Sequence, residues 1–575
     1  KGSLILPQIH MKKIYWLLSG LLLAAIFLFI VYSDKFQAHR FVQSFSSSTF
    51  NERIIAGDLA GYDSGTANDF KSALLYDGHY AYGSNMGYFG RHLSDEQVAE
   101  LAYAAGSRTI RLSLPDRLLS GFGQEARLHA FQVYRDRLQM QEMTVFVGEP
   151  NDSIRYRNKG PFHLWDTLFD GCNKKARLFK GLYEPIWIDK KKRIVNPSNT
   201  YAAYLFKAVS TYGSYVKFWE VMNEPDFTHA SAGWENEKSS NSWWNVNPKP
   251  CDLSNLNAPV YYYVRMLRIS WEVIKTLCPD SYVCTGGIGY SSFLDVLLRN
   301  TDNPVDGSIN PNYPLKGGAY FDVVSYHDYP HYQAVTGSST SGSRVYQRHS
   351  DAMVDIHLRC KEKLSSVLLR FGYDGRRYPL KKFIVTEVDL AREPVNQIWG
   401  HDVAASNFII KCHVLSQVAG ILQTYKYGLG DGADKNAVFN KMGLYEDLSN
   451  PQVLQTGLRK TNQWFAVRTT SDLLYGKIFD AEQTRKLQLP KQVRGAAFLG
   501  ADHRYTYVLW AATTQDRSEE ATAIYTFPIP FKGFRKEWDF SKAGSLVPVE
   551  EARVQLKGSP SFFVEDTIFR GKPSL

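Results

Sequence analysis

The chain reads as a (β/α)8 barrel followed by a β-sandwich. Three observations predict this. Short apolar strands alternate eight times with helical stretches between residues 78 and 465. Helical periodicity then fades near residue 460 and gives way to short strands separated by turn residues. Several predicted strands also end on Glu, Asn, His or Tyr, the residue types that work at the mouth of such a barrel.

At 575 residues the chain exceeds what one core organises, so two folded domains and a leader are expected. Four segments are predicted: 1–33 as signal anchor or signal peptide, 34–77 as linker and early strands that could join the β-domain, 78–465 as barrel and 466–575 as β-sandwich. The leader rests on residues 14–32, IYWLLSGLLLAAIFLFIVY, an uncharged run of nineteen residues behind Lys12-Lys13. That length spans a bilayer as a helix, and the lysines favour an N-inside orientation. No clean A-x-A site follows, so a signal anchor is read first and a cleaved signal peptide second. Met11 reads as a natural start. Either option places the remainder outside the cytoplasm: periplasmic, cell-surface or secreted.

The barrel elements follow in order. Residues 79–89 read as a strand and turn. Ser94 caps a helix with Val98, Leu101, Ala102 and Ala105 at helical spacing, and Gly106 ends it. Strands are then expected at 108–114, 144–147, 216–222, 282–285, 321–326, 382–386 and 420–427. Helices are expected at 200–212, 260–276, 351–371 and 404–418. In the last hundred residues, strands fall at 493–499, 505–512, 521–527 and 562–569.

Charge and cysteines exclude more than they assign. The formal net charge of +10 is spread out, and the longest basic run, Lys190-Lys191-Lys192-Arg193, reads as a solvated loop. A basic surface favours acidic polymers or anionic lipid, but no nucleic-acid motif accompanies it. None of the six cysteines forms a CxxC or a metal-ligand cluster, and Cys172 and Cys251 fall in polar loops where an oxidising compartment would let them pair. His327 and His331 are too isolated for a metal-dependent hydrolase, so neither metal nor cofactor is expected. Aromatic residues make up 14%, enough for core packing and also for platforms that stack on sugar rings.

The chemistry is carried by two stretches. Residues 219–227, WEVMNEPDF, end the fourth strand on Asn223-Glu224-Pro225. Residues 381–389, KKFIVTEVD, end the seventh on Glu387. Strands four and seven face each other across an eight-stranded ring, so both carboxyl groups can meet at the mouth. Such a pair suits glycosidic cleavage, with one group attacking the anomeric carbon and the other protonating the leaving oxygen. Glu149 in VGEPNDS also ends a strand, but is a weaker candidate. Glu220 and Asp389 read as supporting residues, and Asp226 as a wall of the same mouth.

With Asn-Glu-Pro, the Glu of strand seven and SYHDYP after strand six, residues 78–465 resemble the retaining (β/α)8 glycoside hydrolases often called clan A, in the manner of families 5 and 39, which often carry an accessory β-domain. The resemblance implies Glu224 as acid/base and Glu387 as nucleophile. It implies Asn223 on the sugar 2-hydroxyl, Arg111 supporting the nucleophile, Tyr329 touching it and His327 lining the site. It departs at strand eight, where the family often has Trp and residues 423–431 read QTYKYGLGD. Lys426 falls near that place, with Tyr425 or Tyr427 there if the register slips. A pocket Lys would suit an anionic sugar, whereas an outward Lys beside a Tyr platform is an equal reading. The loop 229–252 carries Trp234, Trp243 and Trp244, which either pack it down or stack on sugars. The expected activity is therefore double-displacement cleavage of β-glycosidic bonds in an oligo- or polysaccharide. A non-catalytic carbohydrate-binding surface protein and a transglycosylase on the same scaffold are the alternatives.

Overall fold

The computed structural model describes residues 76, 78–86, 92–150, 178–338, 344–446, 448–452, 457–528, 531–537, 547–549 and 551–566. The expected membrane segment, the linker over 34–75 and Cys172 lie outside the described residues. Among the described residues no helix is long and apolar enough to cross a membrane. Cys251 is disulfide-bonded, and Cys278, Cys284, Cys360 and Cys412 are free.

Eight parallel strands close into a barrel: β1 (Ala81–Asn85), β2 (Thr109–Pro115), β3 (Met143–Gly148), β4 (Val216–Val221), β5 (Tyr282–Cys284), β6 (Val323–Asp328), β7 (Lys382–Val388) and β8 (Gln423–Lys426). Each pairs with its neighbours in sequence, and β8 returns to β1 with Gly83 opposite Tyr425. Val, Ile, Phe and Trp make up most of β4 and β7, whose residues are buried on both faces. Gly83 makes room inside the ring: a Cβ there would lie 2.3 Å from the Tyr425 side chain. The Tyr425 hydroxyl in turn donates to Thr144 Oγ1 at 2.8 Å and Gln423 Oε1 at 2.7 Å, filling the interior rather than the mouth.

The surrounding helices include α1 (Asp95–Ala104), α2 (Thr200–Tyr212), α3 (Val260–Leu277), α4 (Ser291–Arg299), α5 (Ser350–Arg370), α6 (Asp402–Val418) and α7 (Asn462–Leu474). The predicted cap of α1 is present: Gln97 N donates to Ser94 Oγ at 3.3 Å and Ser94 N to Gln97 Oε1 at 2.9 Å. Gly106, at φ +103°, ends that stretch, and a Cβ on it would press on Arg468 Cα at 2.9 Å.

The C-terminal strands are β9 (Ile478–Phe479), β10 (Val493–Leu499), β11 (Tyr505–Ala511), β12 (Thr522–Thr526), β13 (Gly533–Glu537), β14 (Val547–Val549), β15 (Arg553–Lys557) and β16 (Ser561–Glu565). Six form one antiparallel sheet in the order β9-β10-β11-β16-β13-β14, and β12 pairs with β15. Period-two alternation explains how the larger sheet serves two cores. Tyr507, Leu509 and Phe563 pack with Ala523, Tyr525 and Leu556 of the β12–β15 pair. Val508, Trp510 and Phe562 face the other way and share a core with Val98 of α1, Ile410 of α6 and Val467 of α7.

One buried carboxylate joins this sheet to the barrel helices. Asp351, in the first turn of α5, accepts from Trp510 Nε1 at 2.9 Å, Thr513 N at 2.9 Å, Lys411 Nζ at 2.7 Å and Arg494 NH1 at 3.0 Å. Burial opposes its charge, but Lys411 and Arg494 outweigh it and hold the carboxyl at about 2. Replacing it with Asn strands Lys411 in the interior, so Asp351→Asn is expected to cost about 3–5 kcal/mol in a denaturant titration. Its folded value lies below 3.8, so its contribution is complete above that pH and fades as pH falls toward 2. Wild type and variant should therefore converge in acid. Parallel stability curves would remove Asp351 as the joint.

Candidate active site

The site is assembled around Arg111, which points from β2 into the closed barrel and is fully buried. Its three nitrogens divide between two strand ends, β4 and β7. Nε meets Glu220 Oε2 at 2.5 Å, NH1 meets Glu387 Oε1 at 2.7 Å and NH2 meets Asn223 Oδ1 at 2.6 Å. Burial alone would weaken the cation, but Glu220 and Glu387 outweigh that and hold Arg111 above its ordinary value. Glu220 spends its other oxygen on Ser325 Oγ at 2.5 Å and Thr386 Oγ1 at 2.8 Å, so it supports and does not react.

Glu387, on β7, receives two further donors: Asn85 Nδ2 at 3.1 Å and the Tyr329 hydroxyl at 2.5 Å. Burial and the Glu387 charge push that hydroxyl's ionisation far above its ordinary range, so Tyr329 stays a donor. Three donors fix the carboxylate's orientation and stabilise its charge.

Glu224 is presented differently. The chain leaves β4 through Met222 at φ +67° and Glu224 at φ +46°, left-handed conformations that cost a non-glycine residue about 1–3 kcal/mol each. Surrounding backbone holds the turn: Met222 N donates to Val147 O at 2.8 Å and Glu224 N to Gly286 O at 2.6 Å. Gly286 is required there, because a Cβ would lie 2.3 Å from Val221 O. Asn255 Nδ2 closes the turn on Glu224 O at 3.0 Å.

His327, from β6, stands between the two carboxylates, with Nδ1 2.8 Å from Glu224 Oε1 and 3.7 Å from Glu387 Oε2. One oxygen of Glu224, one of Glu387 and a His327 ring nitrogen all lie within 4.8 Å of one another. Burial disfavours the imidazolium, but Glu387 and Glu224 outweigh it and raise the His327 pKa. In the same pair, burial pushes Glu224 up and the His327 bond overrides it downward. Both directions favour a proton on His327 over one on Glu224.

These groups open onto a cavity of about 1700 Å3. Glu224, Glu387, Asn223, His327 and Tyr329 line it, as do Trp234 and Trp244 of the long loop. Three expected site residues do not: Arg111 reaches it only through Glu387 and Asn223, and Trp243 and Lys426 lie elsewhere. Trp243 is 1% exposed and packs on Tyr290 and Phe293, fixing the loop instead of offering a platform. Lys426 is wholly buried, bonded to Asp389 and to the Tyr427 and Met442 carbonyls. The aromatic at the end of β8 is Tyr427. Glu149 pairs with Arg117 at 2.7 Å and does not line the cavity.

Asn85 was not anticipated, although it ends β1 as the barrel rule would require. Asp226 is in place, and its Oδ2 accepts from Gly289 N at 2.8 Å and Tyr290 N at 2.9 Å. It thereby ties the end of β4 to the turn that carries Tyr290.

No protein-family model matches the sequence, and no curated protein matches it. Solved structures do resemble it. A family 39 glycoside hydrolase from Bacteroides cellulosilyticus shares 16% identity over 84% of this chain and 80% of its own, with TM-score 0.52. A family 30 subfamily 8 xylanase from Clostridium acetobutylicum shares 14% identity over 86% and 98%, with TM-score 0.47. The chain has the fold of the family 39 enzyme.

Burial, with the nearby Glu224 charge, pushes Asp226 up to about 7 against the backbone bonds that favour its ionised form. The folded protein thus holds a proton there that the unfolded chain releases near 3.8. Stability from this group is full below that pH and declines as pH rises through 7. Asp226→Asn keeps the acceptor and removes the charge. Its stability relative to wild type is expected to grow between pH 5 and pH 8, by about 2–3 kcal/mol. Equal gaps at both pH values would contradict this account.

Proposed function

We propose that this chain is a retaining glycoside hydrolase that cleaves β-glycosidic bonds of an oligo- or polysaccharide by double displacement. The observation that carries the reading is the closeness of Glu224 and Glu387, oxygen to oxygen within 4.8 Å. A retaining pair stands about 5–5.5 Å apart, whereas an inverting pair needs roughly 6.5–9.5 Å to admit water. The fold, and a cavity larger than one sugar ring, agree with it.

Glu387 is the nucleophile. Arg111, Asn85 and Tyr329 hold its carboxylate aimed, and it attacks the anomeric carbon as the glycosidic C–O bond breaks. Glu224 is the acid. Its proton comes from His327 Nδ1 as substrate covers the pair and weakens the separated charges, and it passes to the leaving oxygen. In the second step Glu224 removes a proton from water, which displaces Glu387 from the anomeric carbon. Asn223 gives its Oδ1 to Arg111, which leaves its amide N–H for the sugar 2-hydroxyl. An extracytoplasmic site of action is supported by the disulfide at Cys251 and by the apolar run 14–32.

A panel of aryl β-glycosides, including uronides, tests this. Glu224→Gln is expected to lower turnover about 10²–10⁴-fold. Glu387→Ala should abolish it and, with azide, yield the inverted glycosyl azide. Full activity in either variant sinks the assignment, as does a wild type silent on both aryl glycosides and polysaccharides.

A further inference from the structure

The cavity does not end at the catalytic pair. Its walls also include Asp226 and Tyr290, both near Glu224, and one face of α5, whose Cys360 lies near Asp226. The Glu224 side is the one on which an acid/base delivers its proton, so it receives the leaving group. Arg359, Lys363, Ser366 and Arg370 all line it. At 100° per residue these four fall within roughly 60° of the helix surface, a single row about 16 Å long. That length takes more than one sugar ring.

The charges along the row are not equivalent. Arg370 is engaged, with NH2 on Asp295 Oδ2 at 2.6 Å and NH1 on Glu237 Oε1 at 3.2 Å. Its guanidinium also sits 5.2 Å from the centre of the Trp244 ring. Arg359 and Lys363, one turn apart and exposed, have no hydrogen bond or ion pair among the described residues. The acidic groups on the same walls are otherwise occupied. Glu237 is taken by Arg370, Glu235 accepts from the Ser231 and Ser239 hydroxyls, and Glu362 lies at the edge of the row beside Lys361. The Cys360 thiol, beside Arg359 in the cavity wall, lies close enough to Asp328, Lys363 and Asp226 to feel all three charges. Elsewhere on that wall Trp234, 56% exposed, leans on Tyr290 with ring centres 6.1 Å apart.

We propose that this wall selects a glycan carrying carboxylate or sulfate groups on its leaving-group side, with Arg359 and Lys363 binding the anion and Trp234 and Trp244 stacking on the rings. The inference rests on the proposed function and adds the class of substrate. A guanidinium offers a planar fork to a carboxylate or sulfate, and an ammonium one turn away adds a point charge. Ring faces beside cations suit a polymer whose apolar sugar faces alternate with charge.

The test uses Glu387→Ala, so that ligands are bound and not consumed. Calorimetry is run with size-matched oligogalacturonate, chondroitin sulfate oligosaccharides, their desulfated counterparts, and neutral cello- and xylo-oligosaccharides. At least one anionic ligand is expected to bind about tenfold or more tightly than every neutral one. Arg359→Ala with Lys363→Ala in that background should erase the preference and flatten its salt dependence. Preference for the uronates, or loss of binding on desulfation, identifies which anion is read. Neutral ligands bound as well as anionic ones, no anionic ligand bound, or a preference surviving the double substitution overturns the proposal. Aryl glycoside hydrolysis by wild type is followed in parallel. Hydrolysis without anion preference sinks this inference alone, and anion preference without hydrolysis sinks the proposed reaction alone.

Discussion

The site depends on Arg111. A buried guanidinium is costly to desolvate, and here three acceptors satisfy it from two opposing strand ends. Glu220 and Asn223 belong to the β4 end, and Glu387 to β7. One cation therefore spans the barrel and brings the opposing strand ends to a set separation. It also removes an electrostatic obstacle, since Glu220 and Glu387 would otherwise repel within a low-dielectric interior. The strain at Met222 and Glu224 persists on the same basis. Asn223, which lies between them, is clamped by Arg111, and the backbone on either side is bonded to β3 and to the turn after β5.

The two carboxylates, though close, live in different surroundings. Glu387 is surrounded by donors that keep their protons, an Arg, an amide and a Tyr hydroxyl. Glu224 has one strong partner, and that partner titrates. A carboxylate held by permanent donors stays aimed for attack, whereas one paired with imidazole can gain and lose a proton at small cost. In the proposed reaction this contrast suits Glu387 to attack and Glu224 to carry the proton, independently of likeness to any other protein.

The barrel and the meeting of Glu224 with Glu387 were legible because both rest on local pattern. Strand and helix alternate with clear periods, and Glu224 and Glu387 close their strands beside turn residues. What was not legible rests on register and distance. Lys426 follows Tyr425, and one residue's difference decides which of them faces the interior. Tyr425 takes it, against Gly83 and Thr144, so Lys426 points away toward Asp389. Trp243 and Trp244 are adjacent in a loop with no period to say which one packs. Asn85 sat inside a stretch read as a continuous strand and turn, so its strand end went unmarked. The pairing of β11 with β16, Tyr507 opposite Phe563, spans a separation that no local pattern encodes.

Helix α5 links the C-terminal sheets to the chemistry. Its first turn is pinned at the seam, where Asp351 binds Trp510 and Thr513, and Ser350 Oγ donates to Glu519 at 2.6 Å. Its middle is pinned to the barrel by His357, whose ring meets Asp328 Oδ2 at 3.0 Å and Ser416 Oγ at 3.1 Å. Asp328 directly follows His327 on β6. A helix fixed at two points about one turn and a half apart cannot rotate, so the bearing of Arg359 and Lys363, just beyond the second point, is set as well. The sheets reach the cavity in this way, by orienting a helix face and not by touching a sugar. Loosening the seam would then be felt first along the outer wall, while the Arg111 cluster, held within the barrel, would keep its geometry.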